Sequence, residues 1–326
     1  MAGDRDLGVA VATARFAPPS KDRTGWEMTA ATGVRGLRLL QETEVFAAFT
    51  FSETNPEACR VLRENASRVP GAIVREGNAR LVPESAPFDY VDLDPYGSPL
   101  PLLRTALGAA RPGGVVAVTA TDMMVLAGAQ SSACWRRYSA RPVRGRLGPE
   151  GGLRILLAQL VRDAQALDRS VRPILAYARD HYVRAYVEVR GPSTEAPPID
   201  VIEPERWTGP SVGDRGPYGP LWLGPLFDPE VVLRLAVPTA AARSREVEQF
   251  IARLREETTV DRPFYYEANV LSSHLHLPSP PRLDTVREGL RALGYQVART
   301  HARPEGFRTD APRSEVEALF RRLSGG

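Results

Sequence analysis

Apolar and polar positions alternate in two distinct rhythms over the first 190 residues, and the two take turns. Residues 4–16 repeat apolar positions at helical spacing and read as an amphipathic helix; 17–25 form a Pro/Ser/Gly loop. A short strand over 26–30 runs into a small-residue loop, Ala31 to Gly36, after which Leu37, Leu39 and Leu40 begin a helix. A second strand covers 47–52 and ends at Glu53; Thr54 or Asn55 caps the next helix, with Pro56 in its first turn, and that helix runs to about residue 68. Strands over 72–75, 88–94 and 115–121 follow, the last two separated by a helix over 100–110. Strand and helix thus alternate four times, which predicts a parallel, doubly wound α/β sheet.

Beyond residue 121 the rhythm changes. Residues 131–150 read as a loop carrying Arg136, Arg137, Arg141, Arg144 and Arg146, with Trp135 and Tyr138 interleaved. Such a loop suits an RNA backbone with stacked bases, and equally a plain solvated surface. A helix over 153–167 precedes alternating strands over 173–178 and 182–189, joined at Arg179-Asp180-His181, so the sheet should end in an antiparallel hairpin. Residues 190–220 are Pro/Gly-rich, and the apolar stretch 219–227 is placed to pack back onto the sheet. Composition shifts near 237, which predicts a unit over 1–236 and a smaller C-terminal α/β domain over 237–326. In the latter, helices are expected over 244–257, 263–277, 283–293 and 314–323, with a strand over 295–300.

Composition narrows the function classes. Of 326 residues, 43% are hydrophobic and 25% charged, as in ordinary globular proteins. No apolar run approaches the roughly 20 residues of a membrane span, and the start lacks a signal-peptide pattern, so a cytoplasmic protein is expected. Net charge is +3, and among the basic residues only Lys21 is a lysine. That bias reflects coding rather than function, and the basic balance permits an RNA partner without requiring one. Cys59 and Cys134 stand far apart, and His274-x-His276 lacks a third ligand, so no disulfide framework and no metal site is expected.

The chemistry concentrates in residues 88–99, FDYVDLDPYGSP. A buried strand carrying Asp92 and Asp94 breaks at Pro95 and turns through Tyr96 and Gly97, at the strand edge where open α/β sheets bind ligands. A carboxylate and a proline carbonyl there can accept both N–H groups of an exocyclic base amine, and Tyr96 can stack on the base. Asp-Pro alone is more often a strand-ending turn. The glycine loop admits an anionic ligand to a helix N-terminus or makes a tight βα turn. Glu53, 17 residues beyond Gly36, stands where an acid commonly holds ribose hydroxyls. Asn78 fits either an adenine edge or a turn.

Taken together the segments DRDLGVAV, AATGVRGLR, DLDPYGSP, VTATDM, DHYVRAYVEV, GPLWLGPLFD, LSSHLHLPSPPRL and RTHARPEGFRTDAP resemble the tRNA (guanine-N2-)-dimethyltransferase family, in family order from residue 4 to 312. The resemblance implies a Rossmann-like class I methyltransferase sheet, mostly parallel with a terminal antiparallel hairpin. It also implies S-adenosyl-L-methionine as cofactor and N2 of guanine 26 in tRNA as methyl acceptor. On matching positions, Asp94, Pro95 and Tyr96 would be catalytic, and Arg5, Thr32, Gly33, Arg35, Glu53, Asn78 and Ala79 would bind the cofactor, without metal. Glu27 and Asn78 stand where relatives usually carry Asp, and relatives carry an aromatic VFYNP-type stretch before the Arg-Asp-Leu segment with which this sequence opens. tRNA is the expected partner, with no membrane and no protein partner, and the chain is expected to be a monomer. Two alternatives remain beside this reading. One is another amino-methyltransferase, of the adenine-N6 type, which the acceptor nucleoside would distinguish. The other is a weakly catalytic tRNA-binding relative, which cofactor binding would distinguish.

Overall fold

A computed structural model describes residues 2–213 and 215–324. Its main sheet has seven strands in the order β3-β2-β1-β4-β5-β7-β6. These are β1 (Arg23–Glu27), β2 (Phe46–Glu53), β3 (Ala72–Glu76), β4 (Phe88–Leu93), β5 (Ala110–Ala120), β6 (Ser170–Arg179) and β7 (Tyr182–Arg190). The first five are mutually parallel, while β7 pairs antiparallel with both β5 and β6. The predicted hairpin therefore closes one side of the sheet. The order reverses between β1 and β4, and this switch opens a crevice at the carboxyl ends of those strands.

β4 lies at the centre, and all six of its residues are buried, Asp89 and Asp92 included. A strand covered on both faces reads as a continuous apolar run, which is why the sequence shows no alternation there. The covering helices are α1 (Ala2–Arg15), α2 (Val34–Glu42), α3 (Pro56–Ala66), α4 (Leu100–Ala109), the short α5 (Met123–Leu126) and α6 (Ser131–Tyr138), and α7 (Gly148–Gln165). Asn55 caps α3 by accepting from the Glu57 and Ala58 N–H groups, as its position before Pro56 predicts. Gly33 caps α2 with φ of 76°, and a Cβ there would stand 2.4 Å from the Leu62 side chain. The glycine is thus required by backbone conformation and packing.

Residues 131–150 are not a loop: they hold α6, a 3-10 turn over Gly145–Leu147, and the first turn of α7. The Gly148-Pro149-Glu150-Gly151-Gly152 run reads as irregular, yet Cβ atoms at Gly151 and Gly152 would lie 2.9 Å from Val143 and 2.8 Å from Leu126. Small residues here let the helix approach its neighbours. Residues 190–220 include a strand, β8 (Ile199–Ile202), which pairs with β9 (Tyr218–Trp222); α8 (Pro229–Arg234) follows. The apolar 219–227 stretch does return to the sheet, where Ala176 N–H donates to the Leu226 carbonyl at 2.9 Å.

The C-terminal part comprises α9 (Ser244–Glu257), β10 (Tyr266–Glu267), α10 (Ala268–His274), α11 (Leu283–Ala292), β11 (Val297–Arg299), β12 (Gly306–Thr309) and α12 (Arg313–Ser324). The single helix expected over 263–277 is instead β10 followed by α10, because Tyr266 and Glu267 pair with β12 in an antiparallel sheet ordered β10-β12-β11. Val286, Leu290, Phe307, Val316 and Phe320 fill a separate apolar cluster, whereas Val247, Ile251 and Leu254 of α9 join the large cluster around the main sheet.

A buried ionic network joins the two clusters. Arg308 on β12 donates to both oxygens of Glu150 on α7, at 2.7 and 3.1 Å, and also pairs with Glu257 at the end of α9. Arg154 bonds Glu150 at 2.8 Å, and Glu257 receives the Thr300 hydroxyl at 2.9 Å and the His301 ring at 2.6 Å. Burial alone would raise the Glu150 carboxyl, but the Arg308 and Arg154 charges and their hydrogen bonds hold it at about 2. A carboxyl depressed in the folded state stabilises the fold fully above its ordinary value near 4.5, and that contribution is lost as pH falls toward 2. Arg308→Met leaves Glu150 and Glu257 short of their shared cation and should cost about 3–5 kcal/mol in urea unfolding at pH 7. The deficit should narrow at pH 3, where the wild type has lost part of the same contribution.

Candidate functional site

The loops leaving the parallel strands are tied to one another by backbone hydrogen bonds. Met28 N–H donates to Asp92, Ala30 to Ser52, Gly77 to Glu53 and Thr121 to Gly97, at 2.9 to 3.0 Å. One continuous edge results, bringing Thr32, Gly33, Arg35, Glu53, Asn78, Ala79, Asp94, Pro95 and Tyr96 onto the same side of the sheet. Glu53 accepts backbone N–H groups of Ala31, Thr54 and Asn55 at 2.7 to 2.8 Å, so its carboxylate is fixed across the β1 and β2 loops. Thr32 is exposed, and its carbonyl accepts from Asn65 at 3.0 Å. The Asn78 oxygen accepts the Arg80 N–H at 2.9 Å, closing a turn; Asn78 is exposed and Ala79 is buried. Arg5 lies half-buried on α1 and makes no side-chain hydrogen bond or ion pair among the described residues, unlike its neighbours Asp4 and Asp6.

The turn after β4 is anchored on two sides. Asp94 N–H donates to the Thr29 hydroxyl at 3.3 Å, and Gly97, at φ of 86°, donates to the Thr121 hydroxyl at 2.8 Å. Tyr96, between them, is fully exposed, so its ring has no protein packing. One Asp94 oxygen accepts from Arg35 at 2.7 Å.

Arg35 belongs to a charged cluster beneath the turn. Its guanidinium also pairs with Asp4 at 2.9 Å and faces Asp92 at 3.6 Å. Arg184, on β7, bonds Asp92 at 2.6 Å, the Thr119 hydroxyl at 2.6 Å and the Tyr186 hydroxyl at 2.8 Å. Tyr177 donates to Asp4, and Tyr90 donates to Asp92 at 3.1 Å. Burial would raise the Asp4 carboxyl, yet the Arg35 and Arg184 charges and the Tyr177 hydrogen bond hold it at about 2. Three carboxylates face two guanidiniums, leaving one negative charge in excess. The buried Arg35 Nη1 has no hydrogen-bond partner among the described residues. A local anionic excess suits a sulfonium cation, an unfilled guanidinium nitrogen suits an amino-acid carboxylate, and a fixed acid at the β2 end suits a ribose. The residues present therefore fit S-adenosyl-L-methionine.

Sequence reasoning missed Asp4, Asp92 and Arg184 as members of the site. The signal was available: Arg184 lies within YVRAYV and Asp92 within FDYVDL, both flanked by apolar and aromatic residues on mostly apolar strands. Two opposite charges in buried strands call for each other. Among the described residues no group of three His, Cys, Asp or Glu side chains is placed to hold a metal, and no helix is long and apolar enough to cross a membrane.

Known proteins resemble this chain over nearly its whole length. The family profile described as N2,N2-dimethylguanosine tRNA methyltransferase matches residues 1–198 and 212–321. A tRNA (guanine(26)-N(2))-dimethyltransferase of Thermococcus kodakarensis is 36% identical, the match covering 90% of this chain and 85% of that protein. One from Pyrococcus abyssi is 31% identical over 96% of this chain and 89% of that one. Among solved structures, Trm1 from Pyrococcus horikoshii in complex with S-adenosyl-L-methionine superposes with a TM-score of 0.86 at 28% identity, covering 98% of this chain and 92% of that one. By profile, relatives and fold together, this chain belongs to the N2,N2-dimethylguanosine tRNA methyltransferase family.

Proposed function

We propose that the chain transfers methyl groups from S-adenosyl-L-methionine to the exocyclic N2 of guanine 26 in tRNA, giving N2-methyl- and N2,N2-dimethylguanosine, with Asp94 as the acid–base residue. The observation that carries this reading is the Asp94-Pro95-Tyr96 turn. It holds a carboxylate oriented by Arg35 at 2.7 Å beside a donor-free carbonyl and an unpacked ring. The guanine amine is a weak nucleophile because its lone pair is delocalised into the ring. Asp94 and the Pro95 carbonyl accept its two N–H groups, which localises the lone pair and aims it; Tyr96 stacks on the base. Arg35 occupies one Asp94 oxygen and leaves the other for the amine. When bound, the cofactor supplies an electrophilic sulfonium methyl. The amine proton released on transfer passes to Asp94, directly or through water.

Glu53 holds the cofactor ribose, and Asn78 and Ala79 meet its adenine. Thr32, Gly33 and Arg35 take its amino-acid end, with Arg5 nearby on α1. One chain suffices for the reaction, with residues 1–236 carrying out methyl transfer and residues 237–326 contacting the tRNA body. The separate apolar cluster from Tyr266 onward supports a distinct C-terminal unit, with α9 packed on the main sheet as its link.

The test is methyl incorporation into unmodified tRNA transcripts from labelled cofactor. Label should appear in N2-methyl- and N2,N2-dimethylguanosine and vanish when guanine 26 is replaced; label in another nucleoside would overturn the substrate assignment. Asp94→Asn should lower kcat at least about a hundredfold, with cofactor affinity by calorimetry changed only a few-fold. Glu53→Gln should do the reverse, weakening the cofactor about tenfold with a smaller effect on kcat.

Glu27, at the end of β1, adds a pH signature. Burial and the neighbouring Asp92 charge raise its carboxyl to about 8, partly offset by Arg35 and by the Gly36 N–H at 2.9 Å. For an acid raised in the folded state, stability is greatest below its ordinary value near 4.5 and is lost as pH rises through 8. Cofactor-free protein should therefore lose stability, on the order of a few kcal/mol, between pH 6 and 9. Glu27→Gln should flatten that slope in urea melts.

A further inference from the structure

We infer that the exposed face of α6 is a second stacking platform, on which Trp135 holds a nucleotide neighbouring the target guanine. The inference rests on the guanine reading for its substrate but on different residues. α6 is fastened directly to the turn that carries Tyr96: the Tyr138 hydroxyl bonds Ser98 at 2.9 Å and Asp122 at 3.1 Å. Ala133, Cys134 and Tyr138 are buried, which fixes the rotation of the helix and turns Trp135 and Arg136 outward. Trp135 is 63% exposed, while Trp26 and Trp222 are buried at 0% and 6%. An indole left in solvent on a helix bonded through Tyr138 to that turn is a surface without an intramolecular partner.

The surroundings select the occupant. Trp135 borders a groove of about 620 Å³ whose other walls include Arg141, Val201, Pro217 and Pro220, and among the described residues no carboxylate lines it. Arg136, Arg141 and Arg144 have no ion-pair partner among the described residues, whereas the interior arginines Arg35, Arg154, Arg184 and Arg308 are all paired. Arg141 donates to the Gly216 carbonyl and Arg144 to the Ser131 hydroxyl, but neither charge is neutralised by a carboxylate among the described residues. A flat ring near such guanidiniums is the pairing that holds single-stranded nucleic acid, stacking for a base and cations for its phosphates. Extruding one base from a stacked helix also strips its neighbours of a stacking partner. A ring fixed through Tyr138 to the extrusion site replaces that contact.

The test combines kinetics with fluorescence. Trp135→Ala should raise KM for tRNA roughly ten- to a hundredfold, and Trp135→Phe, which keeps a flat ring, should recover most of it. Cofactor affinity of both variants, measured by calorimetry, reports whether the sheet and its loops are intact. Because Trp135 is the most exposed tryptophan among the described residues, tRNA should quench the tryptophan emission of the wild type, and the quench should be largely lost in Trp135→Phe although that variant still binds. An active wild type whose Trp135→Ala variant keeps its KM overturns the platform, as does a full quench in Trp135→Phe. A wild type that shows the quench but leaves guanine unmethylated keeps the platform and overturns the guanine reading instead.

Discussion

The fold around the site depends on neutralising charges that the sheet has buried. Asp92 on β4 and Arg184 on β7 sit in one sheet, with β5 between their strands, at 1% and 0% side-chain exposure, and neither is tolerable there alone. An unpaired buried ion costs several kcal/mol, whereas a pair with its remaining hydrogen bonds filled comes near to balance. Tyr90, Thr119 and Tyr186 supply those extra bonds. Arg35 then extends the cluster upward, from Asp92 and Asp4 to Asp94. α1, α2, β4 and β7 meet at this cluster, so residues distant in the chain are aligned by charge as well as by apolar packing.

That arrangement explains why part of the site was legible in the sequence and part was not. The Asp94-Pro95-Tyr96 turn and the acid at Glu53 were readable because each ends a strand, and strand ends follow from hydrophobic pattern. Asp4 and Arg184 were not placed, because their partners lie 31 and 92 positions away respectively, at Arg35 and Asp92, and pattern within one element is blind to pairing between elements. The same limit applies to the fold. The parallel strands and the terminal hairpin follow from local rhythm. α6 and the first turn of α7 did not; in α7, glycines that read as loop are demanded by close packing against Val143 and Leu126. Likewise β10 and β12 are too short to announce themselves and exist through each other's hydrogen bonds.

A second buried network, around Glu150, Arg308 and Glu257, follows the same principle for a different end. Its members come from α7, β12 and α9, and each carboxylate meets more than one donor. Apolar surfaces alone would let the C-terminal sheet slide against α7. Directional bonds from one guanidinium to two carboxylates and to the Phe264 carbonyl at 2.7 Å fix its register. The second network thus fastens the C-terminal sheet and α9 to α7.

Rigidity of this kind sets what the site can do. Methyl transfer in line requires the amine nitrogen to be held within a narrow range of distance and angle, and the protein has few covalent steps to contribute. Most polar side chains beneath the turn are committed to a partner, and the parts left uncommitted are few: one Asp94 oxygen, the Pro95 carbonyl, the Tyr96 ring, Arg35 Nη1 and Asp92 Oδ1, which only faces Arg35 Nε at 3.6 Å. A network whose charges are mostly paired competes little for the substrate's hydrogen bonds and needs little reorganisation as charge moves from sulfonium to amine. The buried ions therefore serve less to raise stability than to decide which few groups remain free to meet the base.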